Sequence, residues 1–447
     1  MARNRIISQS EALFVGPSPA TGFHYTLTTG SGDNGAFHGL PSGIPVNHGY
    51  YAPDGTTEIN LKGGNTLSPS QTLSGFIGGA ISGVGIRNDL TQIHRVQGIS
   101  HDLTLNRTDV NQFGQLARLS AEILSTPTVT LNFSYLLANA ANEAALGFNI
   151  NGTSAALASI LNNTEDEKNY FIKTVADGVD AIGGGVDDTN TDVIGIGNGF
   201  ITSYTSEASV GSFPTVNVTV EGLNKEFFTG ASGNFIPGIN PADGTRVTNA
   251  TNNFNNEVEF SMPEATENVS GITTGVANIS ALRPGDITLT LTKAGTSTAY
   301  DALGAKIEDA NAKIQSYNIT ANLSRTPIEK LGSKFAFARE IDFPAPLTIS
   351  IDALADDIRT GSLIDRVNCD DEYDIEINIK SPSSCGGTQQ DVMKYILKQM
   401  TLDSQSYTSS IGANKSVTID FSAQIQGPNQ TGIGLFISGK GFDTEAA

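Results

Sequence analysis

A long stretch of this chain occurs twice. The segment from Arg95-Val96-Gln97 to Asn106-Arg107-Thr108 returns as Lys313-Ile314-Gln315 to Ser324-Arg325-Thr326. The correspondence runs on without a gap through Gly114 and Gly332, Glu122-Ile123 and Glu340-Ile341, and Val129-Thr130-Leu131 and Leu347-Thr348-Ile349. Each pair stands 218 positions apart (95 to 313, 131 to 349). A second echo, Ser203-Tyr204-Thr205-Ser206 with Ser406-Tyr407-Thr408-Ser409, has a shorter spacing. Units of roughly 20–50 residues would stack into a solenoid. A spacing above 200 duplicates a whole fold, and two like units in one chain can fill two equivalent places in a ring.

The repeated unit is written in strands. Ile99, His101, Leu103 and Leu105 alternate with Ser100, Asp102, Thr104 and Asn106, the period of a half-buried strand. Val129 to Phe133, Tyr170 to Val175, Phe200 to Ser206 and Thr215 to Val220 read the same way. In the second copy so do Tyr317 to Leu323, Leu347 to Ile351, Ile375 to Ile379 and Val417 to Phe421. Asp391 to Met400 is open to helix or strand by pattern, and the repeat favours strand because its approximate counterpart, Asp192 to Ile201, carries three glycines, which disfavour a helix. Residues 153–162 read as a short helix, with Thr153 or Ser154 as cap. Ile6 to Val15 leads the first copy and Asp286 to Thr292 the second. This gives a mainly β chain of two tandem sandwich or half-barrel domains, 1–245 and 246–447, with a short helix each at most. The Gly-rich stretch 16–90 falls outside the duplication, as an insertion into the first copy.

Composition agrees with this class. Of 447 residues, 48 are glycine, 16% are charged and none is tryptophan, which suits strands joined by many turns. The net charge of −20 argues against tight or sequence-specific nucleic-acid binding, because an acidic surface repels phosphate. It leaves nucleic acid free to pass without sticking, and it also keeps an abundant protein soluble. Cys369 and Cys385 are too few for a disulfide scaffold; they read as free thiols, with pairing across the intervening loop as the alternative. Met1 to Glu11 has no apolar core of a signal peptide, and no run approaches a membrane span.

Catalytic motifs are wanting. Gly412-Ala413-Asn414-Lys415-Ser416 has Asn where a phosphate loop needs its last glycine. Gly195-Ile196-Gly197-Asn198-Gly199 is not a dinucleotide fingerprint; glycines at a bulge or interface account for it. Asp188-Thr189-Asn190-Thr191-Asp192 opens like a calcium loop but continues with Val193 in place of glycine and Gly199 in place of glutamate. It reads as a solvated acidic loop, as does Asp370-Asp371-Glu372. His24, His38, His48, His94 and His101 show no metal spacing, and no nucleophile elbow is present. The residues therefore name no catalytic, cofactor-binding or metal site, and the expectation is a protein without enzymatic activity or cofactor.

Several phrases together resemble the major tail tube proteins of tailed bacteriophages, notably of marine and environmental type. They are Arg3-Asn4-Arg5-Ile6-Ile7, Gln9 to Leu13, Arg95-Val96-Gln97 and Asp109 to Gly114. Further along come Ser203-Tyr204-Thr205, Gly211 to Pro214, Val220 to Asn224, Ser280 to Thr288 and Leu402 to Tyr407. The resemblance implies a virion protein, assembled in the host cytoplasm, whose long hairpins join neighbours around a lumen. Its partners would be further copies of itself, in trimeric pseudo-hexameric rings stacked into a tube, and other tail proteins. Viral DNA would pass through without specific binding, and no membrane would be involved. Glu376, Asp352 and Asp420 are the acidic strand residues that could face such a lumen. The competing readings are another virion component, a head decoration or capsid protein, or a surface adhesin that binds carbohydrate.

Overall fold

Alternating apolar residues become strands in both halves, and the strands pair in the same order. The computed structural model describes residues 10–17, 90–161, 166–175, 180–182, 191–229, 237–240, 284–294, 314–354 except 333 and 337, 372–380, 391–409, 414–425 and 432–439, with a few short pieces elsewhere. The first half holds β1 (Glu11–Pro17), β2 (Thr26–Leu27), β3 (Tyr50–Tyr51), β4 (Glu58–Ile59), β5 (Val84–Ile86), β6 (Thr91–Ile93), β7 (Val96–Thr104), β8 (Arg107–Val110), β9 (Ser120–Ile123) and β10 (Thr128–Leu136). After the helices α1 (Ala141–Leu146) and α2 (Ala158–Leu161) come β11 (Glu167–Thr174), β12 (Asp192–Ser209), β13 (Thr215–Gly222), β14 (Asn224–Thr229) and β15 (Ser232–Gly233). The second half holds β16 (Phe260–Ser261), β17 (Ile287–Lys293), β18 (Ile314–Asn322), β19 (Arg325–Ile328) and β20 (Ala338–Ile341). It ends with β21 (Ala345–Leu354), β22 (Glu372–Lys380), β23 (Asp391–Thr408), β24 (Ser416–Ile425) and β25 (Gly434–Gly439).

All pairing in the main sheet is antiparallel. The first half runs β1-β11-β12-β13-β10-β7, with β14 on the outer part of β12. The second runs β17-β22-β23-β24-β21-β18, with β25 on the outer part of β23. The hairpin β8–β9 matches β19–β20, and Gly114 and Gly332 turn at φ 87° and 89°. Strands β2 to β5, inside 16–90, form a separate small sheet.

The ladders also fix which residues correspond. The 218-residue spacing holds from β7 through β10. For β12 and β13 the partners differ. Ile201 sits opposite Val220 and Leu402 opposite Phe421, with a bulge at the next position in both. The spacing there is 201 (Ile201 to Leu402), so Ser203 corresponds to Ser404. The Ser-Tyr-Thr-Ser echo is therefore two residues out of structural register, because short hydroxyl-rich strands match one another at several offsets.

Each long strand changes partners halfway, at a left-handed residue. Asn198 has φ 52° and Gln399 φ 56°, 201 positions apart. The Asn198 N–H donates to Asn169 Oδ1 at 3.0 Å, and the Gln399 N–H to Asp374 Oδ1 at 2.9 Å. These bonds replace ladder bonds lost at the kink. Beside it, a Cβ on Gly197 would collide with the backbone of Pro237 and Gly238, which explains one of the three glycines.

The helical segment differs from its sequence reading. Thr153 and Ser154 are not caps; both N–H groups donate to Asn151 Oδ1 at 2.9 Å, an Asx turn. Helix α2 keeps only four residues. Helix α1, too short to show a period, ends at Gly147 with φ 97°, a left-handed stop. One hydrophobic core runs through both halves, from Leu13, Leu131 and Val218 to Ile349, Tyr395 and Ile437. Strand β7 departs from the half-buried reading. Most of it is exposed, because among the described residues β10 is its only partner and nothing covers its outer edge.

Candidate assembly surfaces

The two halves meet strand to strand. The inner part of β12 accepts β18 antiparallel, with Ser203 opposite Asn322, Ser206 opposite Ile319 and Ser209 opposite Ser316. This joint makes one continuous eight-stranded run, β7-β10-β13-β12-β18-β21-β24-β23. Its two ends are β7 and the inner part of β23. These are the structural counterparts of the two strands that meet in the middle.

One face of the run packs on the core and the other is polar, apart from Pro346 and Leu354 at the ends of β21. The polar face presents Ser100 and Asp102; Thr130, Asn132 and Ser134; Asn217, Thr219 and Glu221; and Ser203, Thr205 and Glu207. Past the joint it continues with Asn318 and Thr320, Thr348, Ser350 and Asp352, Thr418, Asp420 and Ser422, then Ser404 and Ser406. The eight strand segments, 96–104, 128–136, 201–209, 215–222, 314–322, 345–354, 401–408 and 416–425, contain no Lys or Arg. Hydroxyls hold the carboxylates in place. Ser350 Oγ donates to Asp420 Oδ1 at 2.7 Å and Ser404 Oγ to Asp420 Oδ2 at 2.6 Å. Ser316 Oγ donates to Asp352 Oδ2 at 2.8 Å and Thr418 Oγ1 to Asp352 Oδ1 at 2.5 Å. Of the acidic residues singled out by sequence, Asp352 and Asp420 belong to this face. Glu376 does not: it lies on β22 and pairs with Lys394 Nζ at 2.9 Å.

The hairpin β19–β20 locks the joint. Arg325 forms a bidentate pair with Asp166 of the first half, and the side chains are only 1% and 8% exposed. Its guanidinium lies 4.8 Å from the Phe200 ring centroid. Arg339 Nη1 meets Glu221 Oε2 at 3.0 Å, and Thr126 Oγ1 donates to Glu329 Oε1 at 2.6 Å. Burial pushes the Asp166 carboxyl above its ordinary value, although the Arg325 guanidinium pulls it down. The matching hairpin β8–β9 is exposed along β8, and Phe113 and Leu116 at its tip are fully exposed.

Beneath the joint lies a buried polar cluster. Tyr135 Oη donates to Glu143 Oε1 at 2.8 Å and Tyr204 Oη to the same oxygen at 3.1 Å. The hydroxyls of Tyr204 and Tyr395 are 2.8 Å apart. Burial pushes the Glu143 carboxyl up to about 7, so it holds its proton well above the ordinary carboxylate range. Nothing in the sequence flagged Glu143, which sits among alanines in a six-residue helix.

Other singled-out residues find plain roles. His94 is buried, its N–H donates to Asn142 Oδ1 at 2.9 Å, and burial followed by the Arg95 charge lowers its pKa to about 4. His101 Nδ1 lies 2.7 Å from Lys225 Nζ. Gly195 to Gly199 are strand residues of β12, packed against Phe228, Pro237 and Tyr170. The side chains of His24, His38 and His48, residues Asp188 to Asn190 of the acidic loop, Asp370, Asp371, Gly412, Ala413 and both cysteines lie outside the described residues. Among the described residues, no three His, Cys, Asp or Glu side chains gather where a metal could sit, and no helix is long and apolar enough to cross a membrane.

No protein-family model matches the chain, and no curated protein matches it. Among solved structures, a chain from the six-fold symmetrised cryo-EM structure of the anti-feeding prophage baseplate is 10% identical. The match covers 34% of this chain and 92% of that one, with a TM-score of 0.21. A crystal structure of Hcp protein is 8% identical over 34% of this chain and 98% of that one, with a TM-score of 0.18.

Proposed function

We propose that the chain is a structural subunit of a tail-type virion tube and has no catalytic role. The observation that carries this reading is the eight-stranded polar face, continuous across both halves, whose strand segments contribute no Lys or Arg; Arg339, which meets Glu221 at its border, is buried. A conduit for DNA must present many small hydrogen-bonding groups and no cations, since each phosphate neutralised by Lys or Arg adds a release barrier. The net charge of −20 fits the same demand. Domains 1–245 and 246–447 each take one of six places in a ring of three chains. Rings assemble in the host cytoplasm and stack into a tube that meets other tail proteins at its ends. The face lines the lumen through which DNA passes during ejection.

Negative-stain microscopy of the purified full chain tests this. Annuli and tubes with a central hole are expected, and averaged end-on views should show three-fold symmetry with six inner lobes. Shells or solid particles would remove the tube reading, and six chains per ring would remove the count.

The lumen assignment has its own test. Asn132, Asn217 and Thr348 are exposed on the polar face, so changing all three to Lys is expected to move stability by no more than about 1 kcal/mol. Assembled Asn132→Lys/Asn217→Lys/Thr348→Lys particles should retain short duplex DNA at 50 mM salt and release it at 200 mM, roughly one salt-slope unit per phosphate held. Native particles should retain none. Fluorescence anisotropy reads both, and equal retention would place the face elsewhere.

A further inference from the structure

We propose that segment 148–161 is a strap that clamps the first half onto β25 of the second, and that the protonation state of Glu143 at its root sets how readily the strap lifts. The device needs no second copy, so it does not rest on tube assembly. The strap begins where α1 ends. Phe148 N–H donates to the Glu143 carbonyl at 2.9 Å, and Asn149 N–H donates to the Ala156 carbonyl at 2.7 Å, closing a loop. The loop is bonded to the second half much as an added strand would be. Gly152 N–H donates to the Ile437 carbonyl at 2.9 Å and Ala156 N–H to the Leu435 carbonyl at 2.8 Å. Asn151 bridges Ser438, and Ala155 and Ala158 pack on buried Phe436. Ala140 sits so close to β25 that a Cβ on Gly439 would lie 2.5 Å from its own. With β23 on one side of β25, the strap covers an edge that would otherwise offer free carbonyls.

The anchor lies at the root. Glu143 is fully buried, and it accepts from Tyr135 on β10 and Tyr204 on β12, while Tyr204 reaches Tyr395 of the second half. The Phe148 ring lies 4.8 Å from the Tyr204 ring, so the first strap residue packs on the same cluster. Tyr135, Tyr204, Tyr317 and Tyr395 surround the carboxyl from β10, β12, β18 and β23, and burial raises the pKa of all four, which keeps them neutral. Strands β1 and β6 also pack on α1. They bring Glu11, whose pKa burial raises, and His94, lowered to about 4 by burial and then by the Arg95 charge. No cation is among the groups that act on Glu143. An ionised Glu143 therefore has no counter-charge, and lifting α1 into water is what solvates it. Its pKa is about 7 with the strap closed, against 4.5 in water. Closure is therefore at full strength below pH 4.5 and weakens as the pH rises towards 7.

Hydrogen exchange of the full-length chain at pH 5 and pH 8, corrected for intrinsic rates and run with and without about 1 M urea, tests the strap. The Gly152 and Ala156 amides should lose protection roughly 70-fold between the two pH values. At pH 8 they should be at least about tenfold less protected than the amides of β24 and nearly indifferent to urea, because a local opening exposes little surface. In Glu143→Gln the same amides should keep at pH 8 the protection they have at pH 5. Glu11 and His94 are intact in that chain, so a slope that survives in it belongs to them and overturns the role of Glu143. Strap amides that match β24 in both protection and urea dependence would show that the strap has no opening of its own. A native strap with the same protection at both pH values would remove the device altogether. These last two outcomes are read on the native chain alone and stand even if the variant does not fold.

Discussion

Replacing Glu143 by alanine is expected to destabilise the protein by about 3–5 kcal/mol at pH 5, the sum of two orphaned hydroxyls and a small cavity. At that pH the carboxyl is neutral and accepts from Tyr135 and Tyr204. The pH dependence has a definite sign. Burial raises the folded-state pKa from 4.5 to about 7, so the contribution is complete below pH 4.5 and is lost as pH rises towards 7. Over that window the native chain should lose about 3 kcal/mol through this group. The alanine variant lacks the titration, so its deficit should shrink at pH 8. Glu143→Gln keeps an acceptor in place and cannot ionise. It should match the native chain within about 1 kcal/mol at pH 5 and exceed it by about 2–3 kcal/mol at pH 8. Urea unfolding at the two pH values measures all three chains, and a native stability that rises between pH 5 and 7 while the glutamine variant stays flat would refute the assignment.

The contrast between these residues and the strands shows what a sequence can display. Val129 to Phe133 and Leu347 to Ile351 announce themselves because one face is buried and the other wet, so every second residue is forced. The same alternation made the polar face readable as polar, residue by residue. It could not reveal that eight such strands lie side by side without a cation, since that depends on Ser203 finding Asn322 across 119 positions. The period misleads where burial is withheld: β7 alternates like its neighbours yet stays exposed, because among the described residues only β10 pairs with it. Glu143 was invisible for the opposite reason. A buried carboxyl is set by what surrounds it in space, and two of the three tyrosines close to it come from distant strands. Arg325 and Arg107 look identical in the repeat, and only the fold separates them.

That separation carries the second large effect. Arg325→Leu is expected to destabilise the chain by about 3–5 kcal/mol, because it leaves the Asp166 carboxylate buried without its partner. Arg107→Leu, the same change 218 positions earlier, should alter stability by no more than about 0.5 kcal/mol, since Arg107 is exposed. The loss at Arg325 has a local signature. Amides of the hairpin 325–341 should exchange faster by a larger factor than those of β21 or β24, because the hairpin meets the first half through Arg325, Arg339 and Glu329. Changing both members of the pair, Asp166→Asn with Arg325→Leu, removes the stranded charge and should recover roughly 2 kcal/mol or more, a coupling measurable by a double-mutant cycle. Chemical denaturation at pH 7 of the native chain, Arg325→Leu, Asp166→Asn, the double variant and Arg107→Leu decides the matter. If Arg325→Leu costs no more than Arg107→Leu, the hairpin is not the lock of the internal joint.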